Sequence, residues 1–179
     1  MLHRKPRLEI LFGPIASGKS TYARKRGQEG ALVVNDDAIV TAVHGGNYSG
    51  YRKDLKGLYK GLRSQIIHAA ALTRRDVVVD STGLYRSTRD HLRTMGRSLG
   101  MDVALVICRD GQFKGAVDGR RRFEADPRGL TLDEWQRIGQ RHAANHDRLG
   151  VDEDPDPRYE QVNGRLYDAT IIVCWKGEK

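Results

Sequence analysis

The residues with the clearest chemistry form a glycine-rich stretch near the start of the chain. Its sequence, Gly13-Pro14-Ile15-Ala16-Ser17-Gly18-Lys19-Ser20, matches the G-x-x-x-x-G-K-[ST] pattern in full. Glycines let the backbone turn tightly so that successive amides reach phosphate oxygens, and a following helix adds positive potential. We expect Lys19 to bridge the β- and γ-phosphates of ATP, and Ser20 to ligate Mg²⁺. The expected nucleotide contacts are Gly13, Ala16, Ser17, Gly18, Lys19, Ser20 and Thr21.

Two acidic segments follow predicted strands and supply the carboxylates that phosphoryl transfer needs. Asp80 ends the apolar run Val77-Val78-Val79, where we expect it to organise Mg²⁺ together with Ser20, or else to cap the next turn. Asp36 and Asp37 end a second run, and either could accept a proton from an acceptor hydroxyl or cap a helix that begins near Ala38. One division of labour makes Asp36 the base and leaves Asp37 to cap the helix or bind the acceptor.

Apolar runs alternate with helical stretches along the chain, which predicts an α/β fold with a mostly parallel five-stranded sheet and helices on both faces. The length of 179 residues indicates a single domain over residues 1–179. The predicted strands cover residues 8–12, 31–34, 77–79, 103–108 and 171–174. The predicted helices cover residues 20–26, 54–73, 87–99, 112–123 and 132–149.

Three segments together resemble the kinase domain of 5′-polynucleotide kinases, which are P-loop kinases: residues 13–21, residues 34–37, and residues 78–84 with Arg86 and Arg89 after them. The resemblance covers roughly residues 8–149 at low overall similarity. It implies a P-loop NTPase three-layer sandwich that uses ATP and Mg²⁺, with Asp36 as the general base. It also implies that Ser81 and Thr82 contact an acceptor phosphate and that Arg86 assists them.

The chain departs from that family at two places. The family's aspartate–threonine–asparagine run reads Asp80-Ser81-Thr82-Gly83 here, and Ile39 and Val40 stand where the family often has an arginine. Related kinases phosphorylate small alcohols, nucleotides, or hydroxymethylated pyrimidines within phage DNA. The resemblance therefore leaves the acceptor open.

The resemblance also implies a helical arginine lid at about residues 112–131. Its arginines suit phosphate oxygens because the guanidinium is planar and stays charged. We expect one of them to act on the γ-phosphoryl group, with Arg122 first, then Arg128 and Arg120. The alternative for any one of them is solvation, or pairing with Glu124 or Asp126. Thr131 and Glu134 show the spacing of a capping box that starts the next helix.

The net charge of +8 and the pI of about 9.7 fit either a polyanionic partner or an arginine-rich surface. The positions of the basic residues favour a nucleic-acid acceptor, DNA more than RNA, because Arg86 and Arg89 fall where the acceptor should lie. Tyr48, Tyr51, Arg52 and Lys53 lie in a loop that could stack a base and hold a phosphate, or that could simply be flexible. The alternatives are a small-molecule kinase acting on a nucleoside, sugar or antibiotic, and a nucleotide-dependent switch ATPase.

The remaining features point to an ordinary cytoplasmic protein. No apolar run is long enough to span a membrane, so we expect no membrane partner. Two cysteines, Cys108 and Cys174, lie in apolar runs and are expected to be buried thiols in a reducing compartment. His142 and His146 are four residues apart, for which we expect a surface or capping role rather than a metal site. The acidic stretch 152–156 is expected to be an exposed loop, and the oligomeric state is undetermined.

Overall fold

The computed structural model describes residues 4–108, 113–148 and 169–174, and its centre is one five-stranded sheet in the order β2-β3-β1-β4-β5. The first four strands are parallel, and β5 is antiparallel to β4, so the predicted mostly parallel sheet is confirmed. The strands are β1 (Arg7–Phe12), β2 (Leu32–Asn35), β3 (Val77–Asp80), β4 (Asp102–Cys108) and β5 (Ala169–Cys174).

The helices lie between these strands, as the alternating pattern predicts. They are α1 (Lys19–Gln28), α2 (Asp36–Val43), α3 (Lys56–Leu72), α4 (Arg86–Ser98), α5 (Ala116–Ala125) and α6 (Leu132–Asn145). The predicted capping box is confirmed, because the Thr131 hydroxyl accepts from the Glu134 amide and the Glu134 carboxylate accepts from the Thr131 amide. The predicted end of this helix at residue 149 is wrong, since the backbone becomes extended at His146. α5 begins four residues later than predicted, and residues 109–112 lie outside the described part.

The side chains of β1 separate the two faces of the sheet. Leu8, Ile10 and Phe12 are fully buried with residues of α2, α3 and α4, while Leu11 is buried with Tyr22 and Ala23 of α1. Because successive side chains of a strand point to opposite faces, this alternation places helices on both sides. The three-layer sandwich is therefore confirmed. Val77, Val78 and Val79 of β3 are buried as well, as expected for a strand covered on both faces.

The carboxyl ends of β1, β2 and β3 lie side by side, and this edge carries the candidate site. In the pairing of β2 with β3, Asn35 stands opposite Asp80, and β1 continues directly into the glycine-rich loop. Ligands of open α/β sheets bind at this edge because loops from neighbouring strands converge there. None of the described helices combines the length and apolar character that crossing a membrane requires.

Candidate active site

The glycine-rich loop has a backbone shape that only some of its residues can provide. A Cβ on Gly13 would lie 2.6 Å from the Cys108 carbonyl oxygen, so a side chain at this position would collide with β4. Gly18 has a φ of 91° and is the N-cap of α1. Because glycine has no side chain, it cannot cap the first amides of the helix. The first amides of α1 are therefore left for another acceptor. An anion such as phosphate suits this cradle, both by its amide donors and by the helix dipole.

Lys19 is buried within the loop that it is expected to serve. Its ammonium donates to the carbonyl oxygens of Gly13, at 3.0 Å, and Pro14, and to the Ser17 hydroxyl at 3.2 Å. Burial lowers the pKa of Lys19 to about 8, although Cys108 and Asp80 oppose this shift. The ammonium thus has only neutral oxygens as hydrogen-bond partners within the described residues. A phosphate group would replace them with anionic oxygens, which bind an ammonium more strongly.

Asp80 lies at the carboxyl end of β3, where it remains a candidate ligand for Mg²⁺ together with Ser20. Its side chain is 7% exposed at the end of β3, and one carboxylate oxygen accepts a hydrogen bond of 2.8 Å from the Asn35 amide. Ser20 is exposed in the first turn of α1. A hydroxyl and a carboxylate are the hard oxygen ligands that Mg²⁺ takes, and they fit the ion. The described residues contain no cluster of three acidic, cysteine or histidine ligands.

Asp36 lies in the first turn of α2 rather than capping that helix. Asn35 is the N-cap, because its side-chain oxygen accepts from the Ala38 amide at 2.9 Å, so the interpretation of Asp36 or Asp37 as the cap is wrong. The Arg63 guanidinium donates from one nitrogen to both Asp36 oxygens, at 3.0 and 3.1 Å. Burial raises the pKa of Asp36, and Arg63 opposes this shift. The candidate base therefore forms an ion pair with a buried cation.

Arg63 is not among the site residues predicted from the sequence, although the sequence carries a signal for it. The buried residues of α3 include Tyr59, Arg63 and Ile67, which are spaced by four positions and share one face of the helix. An arginine on an apolar stripe needs an anionic partner, because an unpaired buried charge is costly. That requirement points to a carboxylate facing α3. Which carboxylate it is could not be deduced from the spacing.

Asp37, Tyr48 and Arg128 lie close together near the start of α2. Arg128 donates to an Asp37 oxygen at 2.8 Å, although the two residues are 91 positions apart. Burial raises the pKa of Tyr48, and its hydrogen bond with the nearby Asp37 carboxylate raises it further. The structure thus joins the predicted lid to the start of α2.

The predicted lid is a helical hairpin in which α5 and α6 approach very closely. A Cβ on Gly119 would run into the backbone of Trp135 and Gln136, and a Cβ on Gly139 would run into the carbonyl of Gly115. The three glycines therefore allow backbone to contact backbone. This close pairing fixes the orientation of the arginines that α5 carries.

Arg122 and Arg128 both form ion pairs with Asp126. This agrees with the alternative prediction that lid arginines pair with Glu124 or Asp126. The distances are 3.0 Å from Arg122 and 2.9 Å from Arg128. Arg122 also lies over the Trp135 ring, at 5.1 Å from its centroid, and its charge contributes to the lowered pKa of Lys19. It is therefore within electrostatic reach of the glycine-rich loop. Arg120 is exposed on α5.

The other predicted acceptor contacts lie in three separate places. Thr82 accepts from the Gly13 amide at 3.1 Å through its carbonyl, and the Ser81 hydroxyl oxygen is buried with no partner among the described residues. Arg86 begins α4, where its amide donates to Asp147 at 2.8 Å and its guanidinium contacts Asp90. Arg52 is exposed and forms an ion pair with Asp54 at 2.7 Å. Ser81 and Thr82 thus adjoin the loop, while Arg52 lies on the surface.

Arg89 is not available to an acceptor, so its predicted place beside one is wrong. The side chain is fully buried, donates to the Gly83 carbonyl at 2.7 Å, and lies over the Phe12 ring at 4.8 Å from the centroid. Its charge therefore holds the segment after β3 against β1. Part of the net charge of +8 is structural in this way.

Histidines and cysteines occupy places that the sequence predicts only in part. The predicted surface or capping role is confirmed for His146, which is the C-cap of α6 and whose Nδ1 atom hydrogen-bonds the Ala143 carbonyl oxygen at 2.9 Å. It is wrong for His142, whose Nδ1 atom is buried without a partner among the described residues. Burial lowers the pKa of His142 to about 4. His146 stacks on Phe113 at 4.3 Å between centroids. Cys108 is a buried free thiol, as predicted, whereas the Cys174 side chain and the loop 152–156 lie outside the described part.

Comparisons with known proteins agree with this arrangement. The model of a family described as an AAA domain matches residues 8–145, while none of the curated proteins matches the chain. A chain of the Pnkp1/Rnl/Hen1 RNA repair complex superposes with a TM-score of 0.57 and 21% identity, over 79% of this chain and 46% of that one. The present chain thus spans about half the length of that relative. A putative kinase from Chloroflexus aurantiacus superposes with a TM-score of 0.58 and 14% identity, over 76% of each chain.

A further solved structure superposes less closely. A gluconokinase from Sinorhizobium meliloti superposes with a TM-score of 0.43 and 20% identity, over 79% of this chain and 94% of that one. These identities are too low to transfer a substrate. The match over residues 8–145 covers most of the chain and includes the glycine-rich loop, the acidic strand ends and the hairpin. This chain therefore belongs to the AAA domain family of P-loop kinases.

Proposed function

We propose that this P-loop kinase transfers the γ-phosphoryl group of ATP to a hydroxyl group on a nucleic acid. The acceptor would be a polynucleotide 5′-hydroxyl or the hydroxymethyl group of a modified pyrimidine in DNA, as in phage DNA modification. The observation that carries the proposal is the surface beside the candidate base. There, Tyr48 contacts Asp37, and further exposed tyrosines and basic residues follow Tyr48 along the chain.

That surface, which we call the tyrosine-basic strip, is formed by Tyr48, Tyr51, Arg52, Lys53, Lys56 and Lys60. All of these residues are exposed, and Asp54 is the only acidic residue between positions 48 and 60. Tyr48 and Tyr51 are 46% and 45% exposed, and Tyr48 is the member that contacts Asp37. Aromatic faces stack nucleobases, and lysines neutralise backbone phosphates. The strip therefore suits a polyanion whose end reaches the acidic pair.

The residues of the site divide the chemistry among them. ATP supplies the phosphoryl group, and Mg²⁺ held by Ser20 and Asp80 would neutralise its oxygens. Asp36 takes the proton from the acceptor hydroxyl as that oxygen bonds to the phosphorus and the bond from phosphorus to the ADP oxygen breaks. Lys19 and Arg122 offset the negative charge on the transferred group. The free thiol of Cys108 suits the cytoplasmic setting that we infer for this reaction.

A small-molecule acceptor is the second candidate, because one ion pair reduces the space beside the candidate base where an acceptor would bind. The ion pair between Arg128 and Asp37 joins the hairpin to α2 beside the candidate base. An enclosure of this kind favours a compact alcohol such as a nucleoside or a sugar. A switch ATPase is disfavoured because it needs neither a proton-accepting carboxylate nor an acceptor surface.

A labelling experiment separates the two candidates. The purified chain is given ATP labelled at the γ-phosphate together with 5′-hydroxyl oligonucleotides of DNA and RNA, hydroxymethylpyrimidine DNA, or free nucleosides and sugars. We expect label on nucleic acid, DNA more than RNA, and an acceptor affinity that falls steeply with salt. Label confined to free nucleosides or sugars would contradict the proposal.

The candidate base is tested in the same assay by Asp36→Asn. We expect turnover to fall by about a hundredfold or more while ATP binding persists, since general-base catalysis contributes about 10²–10⁴-fold. Asp102→Asn is the matched control, because Asp102 is exposed at the first position of β4, at the edge of the sheet away from the candidate site. Near-normal turnover of Asp36→Asn would move the role to another group.

A further inference from the structure

Arg63 is a buried cation that hydrogen-bonds to one partner in the part of the chain that the structure describes. Its side chain is 4% exposed between Tyr59 and Ile67 on the inward face of α3. Within the described residues, its hydrogen bonds go to Asp36 alone, and its Nε atom is buried without a partner. An arginine in such a place is expensive to bury, and a well-packed apolar residue is often the more stable choice. The fold itself therefore gives little reason for a cation at this position.

Arg63 and Asp36 are buried to different extents, and this difference indicates that the ion pair serves the exposed carboxylate rather than the core. Asp36 is 45% exposed toward solvent, whereas Arg63 is almost completely covered. A pair that served only the core would bury both partners. Here the arginine lies beneath the carboxylate and contacts both of its oxygens from one nitrogen. The Asp36 carboxylate is thus held on its buried side by Arg63 while its exposed side remains accessible to an incoming group.

We propose that Arg63 is a positioning residue for Asp36: its guanidinium holds the carboxylate in one orientation at the cleft. This inference rests on the proposed role of Asp36 as the proton acceptor. Reacting groups need to be held within about an ångström of their productive positions, and a displacement of that size costs about a hundredfold in rate. Arg63 supplies that constraint from a different helix.

The charges around Asp36 make the electrostatic part of this role specific. Burial raises the pKa of Asp36, and the carboxylates of Asp37 and Asp80 raise it further, while Arg63 lowers it. Arg63 is therefore the cation that opposes these three influences. Without it, the carboxylate would gain a proton at a higher pH.

Arg63→Met and Arg63→Lys test the inference without any acceptor. Methionine fills a similar volume with no charge, and lysine restores the charge without the planar guanidinium. Aspartate is labelled with ¹³C at its carboxyl group, and the Asp36 resonance is identified by its absence in Asp36→Asn. We expect the titration midpoint of Asp36 to rise in Arg63→Met and to lie closer to the original in Arg63→Lys. An unchanged midpoint in both variants would overturn the inference.

A matched control uses an arginine–aspartate pair at the opposite end of β1. Arg4 contacts Asp76 at 2.6 Å and lies away from the glycine-rich loop. Arg4→Met should leave the Asp36 titration unchanged. Thermal melting and ATP binding are recorded for each variant. If Arg63→Met does not fold, Arg63→Lys carries the same comparison with a smaller expected shift.

Turnover on a 5′-hydroxyl DNA oligonucleotide then separates positioning from a structural role. We expect kcat of Arg63→Met near neutral pH to fall about ten- to a hundredfold, with its acidic limb moved to higher pH and the KM for ATP unchanged. Arg63→Lys should recover part of the loss. A uniform loss with an unmoved limb would show a structural role and overturn the inference. If the unaltered chain leaves this oligonucleotide unphosphorylated, the proposed acceptor fails, while the ¹³C titration still decides the role of Arg63.

Discussion

The side-chain amide of Asn35 donates to the carboxylate of Asp80 at 2.8 Å, and the carbonyl oxygen of the same side chain caps α2 by accepting from Ala38. Asn35 and Asp80 stand opposite each other where β2 pairs with β3. One residue thus orients the candidate magnesium ligand and starts the helix that carries the candidate base. The two functions of the site are connected through this single side chain.

Replacing Asn35 by alanine should weaken both connections. We expect the free energy of unfolding to fall by about 1–2 kcal/mol, since loss of a helix N-cap alone costs about 0.5–2 kcal/mol. ATP binding should also require a higher Mg²⁺ concentration, because Asp80 loses its orienting partner. Urea denaturation and a Mg²⁺ titration of ATP binding measure the two effects. Asn145→Ala, at the exposed end of α6, is the control, and an unchanged Mg²⁺ requirement would contradict the argument.

The pKa of Lys19 makes nucleotide affinity depend on pH in a definite direction. Burial lowers this pKa to about 8, so the nucleotide-free chain loses the proton as the pH rises through that value. Phosphate oxygens bind the ammonium form, so ATP binding above pH 8 must take up a proton. We expect affinity to fall between pH 8 and 9.5 and to change little between pH 7 and 7.5. Calorimetry in two buffers of different ionisation enthalpy measures the proton uptake.

The control for this prediction is Lys19→Met, which should bind ATP weakly and without the added proton uptake above pH 8. A wild-type affinity that stays constant from pH 7 to 9.5 would show that Lys19 keeps its proton throughout.

Gly83 and Gly61 should respond in opposite ways to alanine. Gly83 has a φ of 62°, and a Cβ there would lie 2.7 Å from the Leu11 carbonyl oxygen, so we expect a loss of about 1–3 kcal/mol in the free energy of unfolding. Gly61 lies within α3 with open space around it, and Gly61→Ala should add up to about 1 kcal/mol through helix propensity. Urea denaturation compares the two variants. Equal effects would refute the argument from space and backbone conformation.

The close contact of the lid helices should matter for phosphoryl transfer more than for ATP binding. Gly139→Ala places a methyl group against the Gly115 carbonyl, which must separate α5 from α6 and displace Arg122. We expect at least a tenfold lower kcat, with ATP affinity within a few-fold of the original. Steady-state assays of phosphoryl transfer measure kcat, and nucleotide titrations measure the affinity for ATP. Ala144→Ser, on the exposed side of α6, should change neither, and a normal kcat for Gly139→Ala would argue against a rigid hairpin.

Much of the fold could be predicted because its signals are local. Each strand is a short apolar run, and the glycine-rich loop is one contiguous motif between a strand and a helix. The alternation of these elements restricts the sheet to parallel neighbours with helices on both faces. Helix ends were less certain. α6 ends at Asn145 rather than at residue 149, because nothing in the local sequence marks the place where its packing stops.

The arginines show most clearly what the sequence could not provide. Arg63 lies on the apolar stripe of α3, and Arg89 lies among the other arginines of α4, yet both are buried, for different purposes. Arg89 holds a backbone segment against Phe12, whereas Arg63 contacts a carboxylate 27 positions away. Such partners depend on how each helix is rotated against the sheet. That rotation results from the packing of all the apolar side chains together.

The sequence by itself determined the phosphate-binding loop, the acidic ends of two strands and the order of the elements, since each of these depends on residues adjacent in the chain. Only the tertiary structure decided that Asn35 joins Asp80 to α2, that Arg63 supports Asp36, and that Arg128 reaches Asp37. These contacts join residues 45, 27 and 91 positions apart. Their formation requires the packed sheet to bring distant side chains within hydrogen-bonding distance, and no local pattern encodes that distance.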